Sequence, residues 1–212
     1  MRWTMNRKTI LQGIACVALV AWAAWNFLRN PDARAIDLLP YEAAGSVTGE
    51  ETSRLIRGRG EVVLVIPDPG ATADPVMEAQ VAAFRKGLGS AGKARVRAVS
   101  TVKIDGFTAM RTGGAMPVES LGELLKAHRG VDAMVFFVGL PPCGGELLGK
   151  PVICATRIVV LTAPFPWYGD LLKQGLIDVG IVSRSTGASE SETKPGTLRA
   201  VFDREYELLR AP

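Results

Sequence analysis

The sequence predicts an α/β domain on a mainly parallel five-stranded sheet, preceded by one N-terminal transmembrane helix. Three observations predict it. From residue 49 onward, short β-branched and aliphatic runs alternate with segments of helical spacing that carry recognisable caps. Ahead of them lies an uncharged run of twenty residues, Thr9 to Leu28, "TILQGIACVALVAWAAWNFL". The chain's excess of positive charge is confined to that end.

Twenty residues in a helix span about 30 Å, the hydrocarbon thickness of a bilayer. Trp22 and Trp25 near the far end suit an interfacial aromatic belt. A secretory signal core is shorter, so the run reads as an uncleaved signal anchor over residues 1–28. Two rival readings stand beside it. Ala33-Arg34-Ala35 has the small-x-small form of a cleavage site, and Cys16 in "GIAC" loosely resembles a lipoprotein cysteine. Of the 25 basic and 21 acidic residues, 1–35 holds Arg2, Arg7, Lys8, Arg29 and Arg34 against Asp32, leaving 20 of each in 36–212. The net +4 therefore belongs to membrane insertion, and nucleic acid is not an expected partner. The basic N-terminus places it inside, with the body on the periplasmic or exterior side of the cytoplasmic membrane.

Residues 29–48, with Pro31, Pro40, Gly45 and Gly49 in or beside them, read as a tether, and 49–212 as one extracytoplasmic domain. "TGEETSRLIRGRG" reads as a short helix with Thr48 as N-cap and Glu51 three residues on. "EVVLVIPDPG" supplies a first strand, a continuous apolar run suited to burial on both faces. "TADPVMEAQVAAFRKGLG" follows as a helix, with Asp74 as N-cap and Pro75 at the first helical position. "ARVRAVSTVKI" is a second strand, "PVESLGELLKAHRG" a helix, and "VDAMVFFVGLPP" a third strand. The crossover holding Cys143 and Cys154 leads to a fourth strand at 157–162. "PWYGDLLKQGL" is a helix, "IDVGIVSR" a fifth strand, and "SRSTGASESETKPG" a polar loop. "TLRAVFDREYELLR" closes the chain as one amphipathic helix. Strands alternating with helices require right-handed crossovers and a sheet covered on both faces. The expected result is a three-layer, Rossmann-like domain with the flavodoxin-like order 2-1-3-4-5.

"GLGSAG", residues 87–92, matches the dinucleotide fingerprint letter for letter. That fingerprint works only after a strand and at a helix start, where amides meet the pyrophosphate. Here it follows a helix and precedes a strand, so it reads as a helix stop and a turn. No nicotinamide, flavin or other cofactor is expected.

Ligands of open α/β sheets bind at the carboxyl ends of the strands. That selects the loops after strands one, three, four and five. Asp68, Pro69 and Thr72 lie in "PDPGAT", where the same residues also suit a tight turn. Pro142 follows strand three and Arg184 strand five. "TAPFPWYGD" presents Phe165 and Trp167, either as rigid aromatic anchors for a ligand or as a staple between helix and sheet. Cys143 and Cys154, eleven residues apart, are a disulfide candidate in an oxidising compartment. His128, the single histidine, sits in a last helical turn where a cation favours the helix dipole. With no G-x-S-x-G elbow and no short cysteine spacing, neither a catalytic residue nor a metal site is assigned.

The succession from Glu61 to Arg184, carried by "EVVLVIPDPG", "VDAMVFFVGLPP", "RIVVLTAPFPW" and "GLIDVGIVSR", resembles one lobe of a type I periplasmic solute-binding protein of ABC transporters. The resemblance implies a binding module for a small solute or an envelope partner, working through its strand-end loops, alone or as a homo-oligomer. Two other readings are a structural scaffold subunit of an envelope complex, and a hydrolase using Asp68, Glu146 or Asp170 with water.

Overall fold

A computed structural model describes residues 16–22, 25, 36–70, 74–90, 92–142, 156–162, 164–184 and 196–210. The chain divides into two units, Met1–Asp37 and Leu38–Pro212. In the first, residues 16–22 are helical and exposed. Among the described residues no helix is long and apolar enough to cross a membrane; most of the run Thr9–Leu28 lies outside them.

The second unit is the α/β body. Its elements are α1 (Leu39–Leu55), β1 (Glu61–Pro67), α2 (Pro75–Ser90), β2 (Arg95–Val102), α3 (Gly106–Thr112) and α4 (Val118–Ala127). β3 (Ala133–Phe136), β4 (Arg157–Thr162), α5 (Tyr168–Lys173), β5 (Val179–Ser183), α6 (Leu198–Glu205) and β6 (Tyr206–Arg210) complete it. The sheet order is β2-β1-β3-β4-β5-β6, with every pair parallel except β5 and β6. The expected order of the first five strands holds.

Both faces of the sheet are covered, as continuous apolar strands demand. On one face Val62, Leu64, Val135, Val159 and Ile181 pack with Val47 of α1, Phe84 of α2 and Phe202 of α6. On the other, Val63, Val65, Met134, Phe136 and Val160 pack with Leu121 of α4 and Leu171 of α5.

Three expectations are corrected. The sheet has six strands, not five, because the closing helix stops at Glu205. Tyr206 to Arg210 instead pairs antiparallel with Val179 to Ser183. Adjacent Leu208 and Leu209 fit a strand between two packed layers: Leu208 joins the α1–α2–α6 side and Leu209 the α4–α5 side. Capping of β5 by a strand removes its unpaired edge, a gain that helical spacing alone does not reveal.

The first helix also begins at Leu39, with Pro40 in its first turn. Thr48 is therefore mid-helix, not a cap, and its hydroxyl donates to the Ala44 carbonyl at 2.6 Å. Leu39–Thr48 are part of the body, so no tether extends to residue 48.

The glycines explain why. A Cβ on Gly45 would overlap the Gln80 carbonyl, and one on Gly49 the Phe84 carbonyl. From the other side, a Cβ on Gly87 would overlap the Ser46 carbonyl. α1 and α2 thus cross backbone to backbone through small residues. Gly87 belongs to this crossing rather than to a helix stop, since α2 continues to Ser90. The "GLGSAG" segment still precedes β2, on the sheet edge opposite the strand carboxyl ends.

Candidate functional site

The carboxyl ends of the strands carry a set of loops fixed by specific bonds. After β1, Asp68 donates its backbone N–H to the Val102 carbonyl at 2.9 Å. Its side-chain Oδ1 accepts from the Gly70 N–H at 3.1 Å, and Gly70 takes a φ of 66°. The exposed Asp68 carboxylate therefore holds a turn. Beyond it, Asp74 caps α2 by accepting from the Val76 and Met77 N–H groups at 2.9 and 3.3 Å. Pro69 borders a groove of about 430 Å³ formed with Ile66 and the Met77–Val81 stripe of α2.

After β3 and β4 the aromatic loop closes on its neighbour. The Leu140 N–H donates to the Tyr168 hydroxyl at 2.9 Å, and the Trp167 indole N–H donates to the Leu140 carbonyl at 3.1 Å. Both backbone groups of one buried residue are thus satisfied from a single loop. Phe165 stacks on Trp167 with ring centroids 4.7 Å apart and meets Tyr168 edge-on at 5.4 Å. Its ring fills a slot at Gly139, where a Cβ would come within 2.6 Å of it. Burial pushes the Tyr168 hydroxyl well above its ordinary pKa, against the opposing effect of the Leu140 N–H. The phenol therefore stays neutral and serves as a hydrogen-bond acceptor.

Phe165, Trp167 and the loop leading to exposed Pro142 are brought together by these contacts. Arg184 is not part of that cluster. Its backbone N–H donates to Glu205 and its Nε to the Tyr206 carbonyl at 2.8 Å, pinning the start of β6. Thr72, Cys143, Cys154 and Glu146 lie outside the described residues. Asp170 is exposed and sits 3.7 Å from Lys173 within one helix. His128 ends α4, as its position in the sequence suggests, and its Nε2 lies 2.8 Å from the Ser100 hydroxyl. Among the described residues, no group of three or more histidine, cysteine or acidic side chains gathers to hold a metal.

One feature escapes the sequence reading. α3 follows β2 at the same end of the sheet and buries none of its residues. Phe107 and Met110, three residues apart, are 70% and 85% exposed, far above any other described large apolar residue of the body. The Arg111 guanidinium lies 5.6 Å from the Phe107 ring centroid, so the exposed face pairs apolar side chains with a cation. The signal was present in "IDGFTAMRTGG": Asp105 accepts from the Thr108 N–H at 2.9 Å as N-cap, and Gly113 closes the helix in the left-handed region.

No protein-family model matches the chain, and no curated protein matches it. Solved structures do. The XylFII molecule superposes with a TM-score of 0.57 at 14% identity, covering 84% of this chain and 62% of that one. GanP, a glucose-galactose binding protein from Geobacillus stearothermophilus, gives 0.54 at 16% identity, covering 81% and 60%. An ABC transporter solute binding protein from Burkholderia graminis, in complex with D-arabinose, gives 0.52 at 20%, covering 77% and 51%. The chain shares their fold. At these identities the likeness concerns the fold alone, and at that level the resemblance read from the sequence holds. The chain spans between half and two thirds of the length of these three proteins.

Proposed function

We propose that this chain is a membrane-anchored extracytoplasmic binding module that recognises a small solute through its strand-end loops. The observation that carries the reading is the fold shared with a D-arabinose complex and a glucose-galactose binding protein. Parallel sheets of this kind bind ligands outside the carboxyl ends of their strands. In this chain the described part of that edge comprises Asp68, Pro69, Pro142, Phe165, Trp167 and Arg184, with α3 and its Phe107 following β2 at the same end, and Thr72 joins the proposed site by its place in the sequence. The Phe165–Trp167 clamp supplies a preorganised aromatic wall, and rigid walls reduce the entropic cost of binding.

The anchor is the run Thr9–Leu28, entering the cytoplasmic membrane behind a basic N-terminus, with the body on the periplasmic or exterior side. In that compartment Cys143 and Cys154 pair. Protease added to intact spheroplasts removes the body on this reading. A protected body overturns the orientation, and a mature chain beginning at Ile36 overturns the anchor.

The solute reading is tested by isothermal calorimetry of the full chain, in detergent, with D-arabinose, D-glucose and D-galactose. Saturable heat with at least one sugar supports it, and no heat with any of the three removes these three sugars as ligands. Native mass spectrometry of the same sample reads the oligomeric state and any retained ligand. A second reading, recognition of an envelope protein, is favoured by the exposed Phe107 and Met110. It is also favoured by a structural neighbour, TM-score 0.56 and 14% identical, solved as a XylFII-LytSN complex.

A further inference from the structure

β2 forms one edge of the sheet, and among the described residues no strand lies beyond it. Proteins deter pairing at such edges with charge, proline or a bulge. In β2 those devices occupy the first half only. Arg95 and Arg97 are held on Glu61 at 2.8 and 3.4 Å, and the register slips at Arg97, which has no partner between Val96 and Ala98. From Ala98 to Val102 the strand is uncharged, free of proline and paired without interruption to Val63–Pro67.

This half also presents its hydrogen-bonding groups outward. The Val102 carbonyl faces β1, where it accepts from Asp68. Strand alternation then turns the N–H and C=O groups of Val99 and Thr101 away from β1, out of the sheet. Their side chains lie on the α2 side, because they pair with Leu64 and Ile66, which pack there. Val99 is 38% exposed.

A groove flanks the sheet on each side here. On the α2 side it is the apolar groove of about 430 Å³ bounded by Ile66, Met77 and Val81. On the α4 side a second groove of about 400 Å³ runs between β2 and α4, where Ser100, Lys103, Glu123 and His128 place polar groups beside Val102, Leu124 and Ala127. An added strand would direct alternate side chains into the two grooves.

We infer that the Ala98–Val102 edge receives an extended segment of a partner protein as a seventh strand. Its apolar side chains alternate with polar ones, and its ends are acidic. The alternation matches an apolar groove on the α2 side and a groove carrying polar groups on the α4 side. Acidic ends match the strand's own ends, where Arg95, Arg97 and Lys103 stand with no acidic residue among 95–103, against Glu61 of β1 and Glu123 of α4 beside them. The same charges disfavour a second copy of this chain, since edge-to-edge pairing of two β2 strands brings basic flanks together. The pairing edge runs along the side of the sheet, its apolar groove meeting the strand-end loops only at Pro69, and peptide binding is read separately from solute binding.

The probe is a fluorescein-labelled peptide, DVTVSVTVD, titrated by fluorescence anisotropy against the full chain in detergent, with KVTVSVTVK as comparison. Saturable binding is expected for the acid-ended peptide, with the lysine-ended one about tenfold weaker. Thr101→Pro removes an outward N–H that makes no bond to β1, and should weaken binding about tenfold with an unchanged unfolding curve. Thr101→Ala should bind like the natural chain. Lys103→Glu should shift preference toward the lysine-ended peptide, and decides the matter if the proline variant fails to fold. The inference is overturned by no saturable binding, by full affinity in a folded Thr101→Pro variant, or by an unchanged preference for the acid-ended peptide in Lys103→Glu. Slow hydrogen exchange at Val99 and Thr101 in the chain alone also overturns it, because the edge is then already paired.

Discussion

Trp167 donates its indole N–H to the carbonyl of Leu140, 3.1 Å away, across 27 residues of sequence. The bond ties the loop after β4 to the loop after β3, while Phe165 stacks on the Trp167 ring. Trp167→Ala removes the bond and the stacking together, and should cost about 2–4 kcal/mol, tempered by its partial exposure. Trp167→Phe keeps a ring and loses the bond, so about 1 kcal/mol is expected. Urea unfolding of the two variants measures both. Equal losses would show that the bond, rather than the stacking, holds the loop.

The α1–α2 crossing predicts a larger penalty from a smaller change. Gly49→Ala or Gly87→Ala adds one methyl group, which in an ordinary helix stabilises. Here the methyl meets backbone carbonyls of the other helix, and backbone cannot rotate away as a side chain can. Each substitution should destabilise by about 2 kcal/mol or more. Gly89, with open space where its Cβ would be, is the internal control. Gly89→Ala should be neutral or mildly stabilising in the same thermal scan.

Glu51 is buried in α1 and holds Arg54 at 2.7 Å and Arg210 at 2.8 Å. Arg210 ends β6, so this pair fastens the last strand to the first helix. Glu51→Gln should destabilise by about 1–3 kcal/mol, less than for a fully buried pair because both guanidinium groups are half-exposed. Hydrogen exchange of the β6 amides should accelerate before that of β1. Uniform acceleration across the sheet would remove the fastening role.

Alkaline pH should weaken the fold through Tyr206. Burial, with Tyr41 and Glu205 nearby, pushes its hydroxyl from 10 up to about 12. Folding thus favours the neutral phenol, a contribution complete below pH 10 and lost as pH rises toward the folded value. Stability should decline from about pH 10 upward, with Tyr168, also raised by burial, contributing beside Tyr206, so Tyr206→Phe should reduce that decline without abolishing it. Tyrosinate ultraviolet absorbance against pH, compared with urea midpoints, checks both statements.

By itself the sequence determined the body's α/β class, the order of its first five strands and which loops follow the strand carboxyl ends. Those follow from local signals. Continuous apolar runs such as Val62–Ile66 can be buried only between two helical layers, and caps such as Asp74 act within a few residues of themselves. The sequence also located Asp68 and Trp167 on that edge, while leaving open what each one does. Only the tertiary structure decided that Asp68 closes its own turn, and that Trp167 and Tyr168 share the two polar groups of Leu140.

The same limit explains the errors. Gly45, Gly49 and Gly87 look like loop residues because glycine disfavours helix in isolation. Their helical state is stabilised by the close approach of a second helix, a contact between segments some forty residues apart. Likewise "YELLR" fits a helix or a strand equally well, and the bare edge of β5 chose the strand. Exposure of Phe107 and Met110 is of the same kind. A short helix capped by Asp105 and Gly113 is legible locally, whereas the absence of any layer above it among the described residues is a property of the assembled fold.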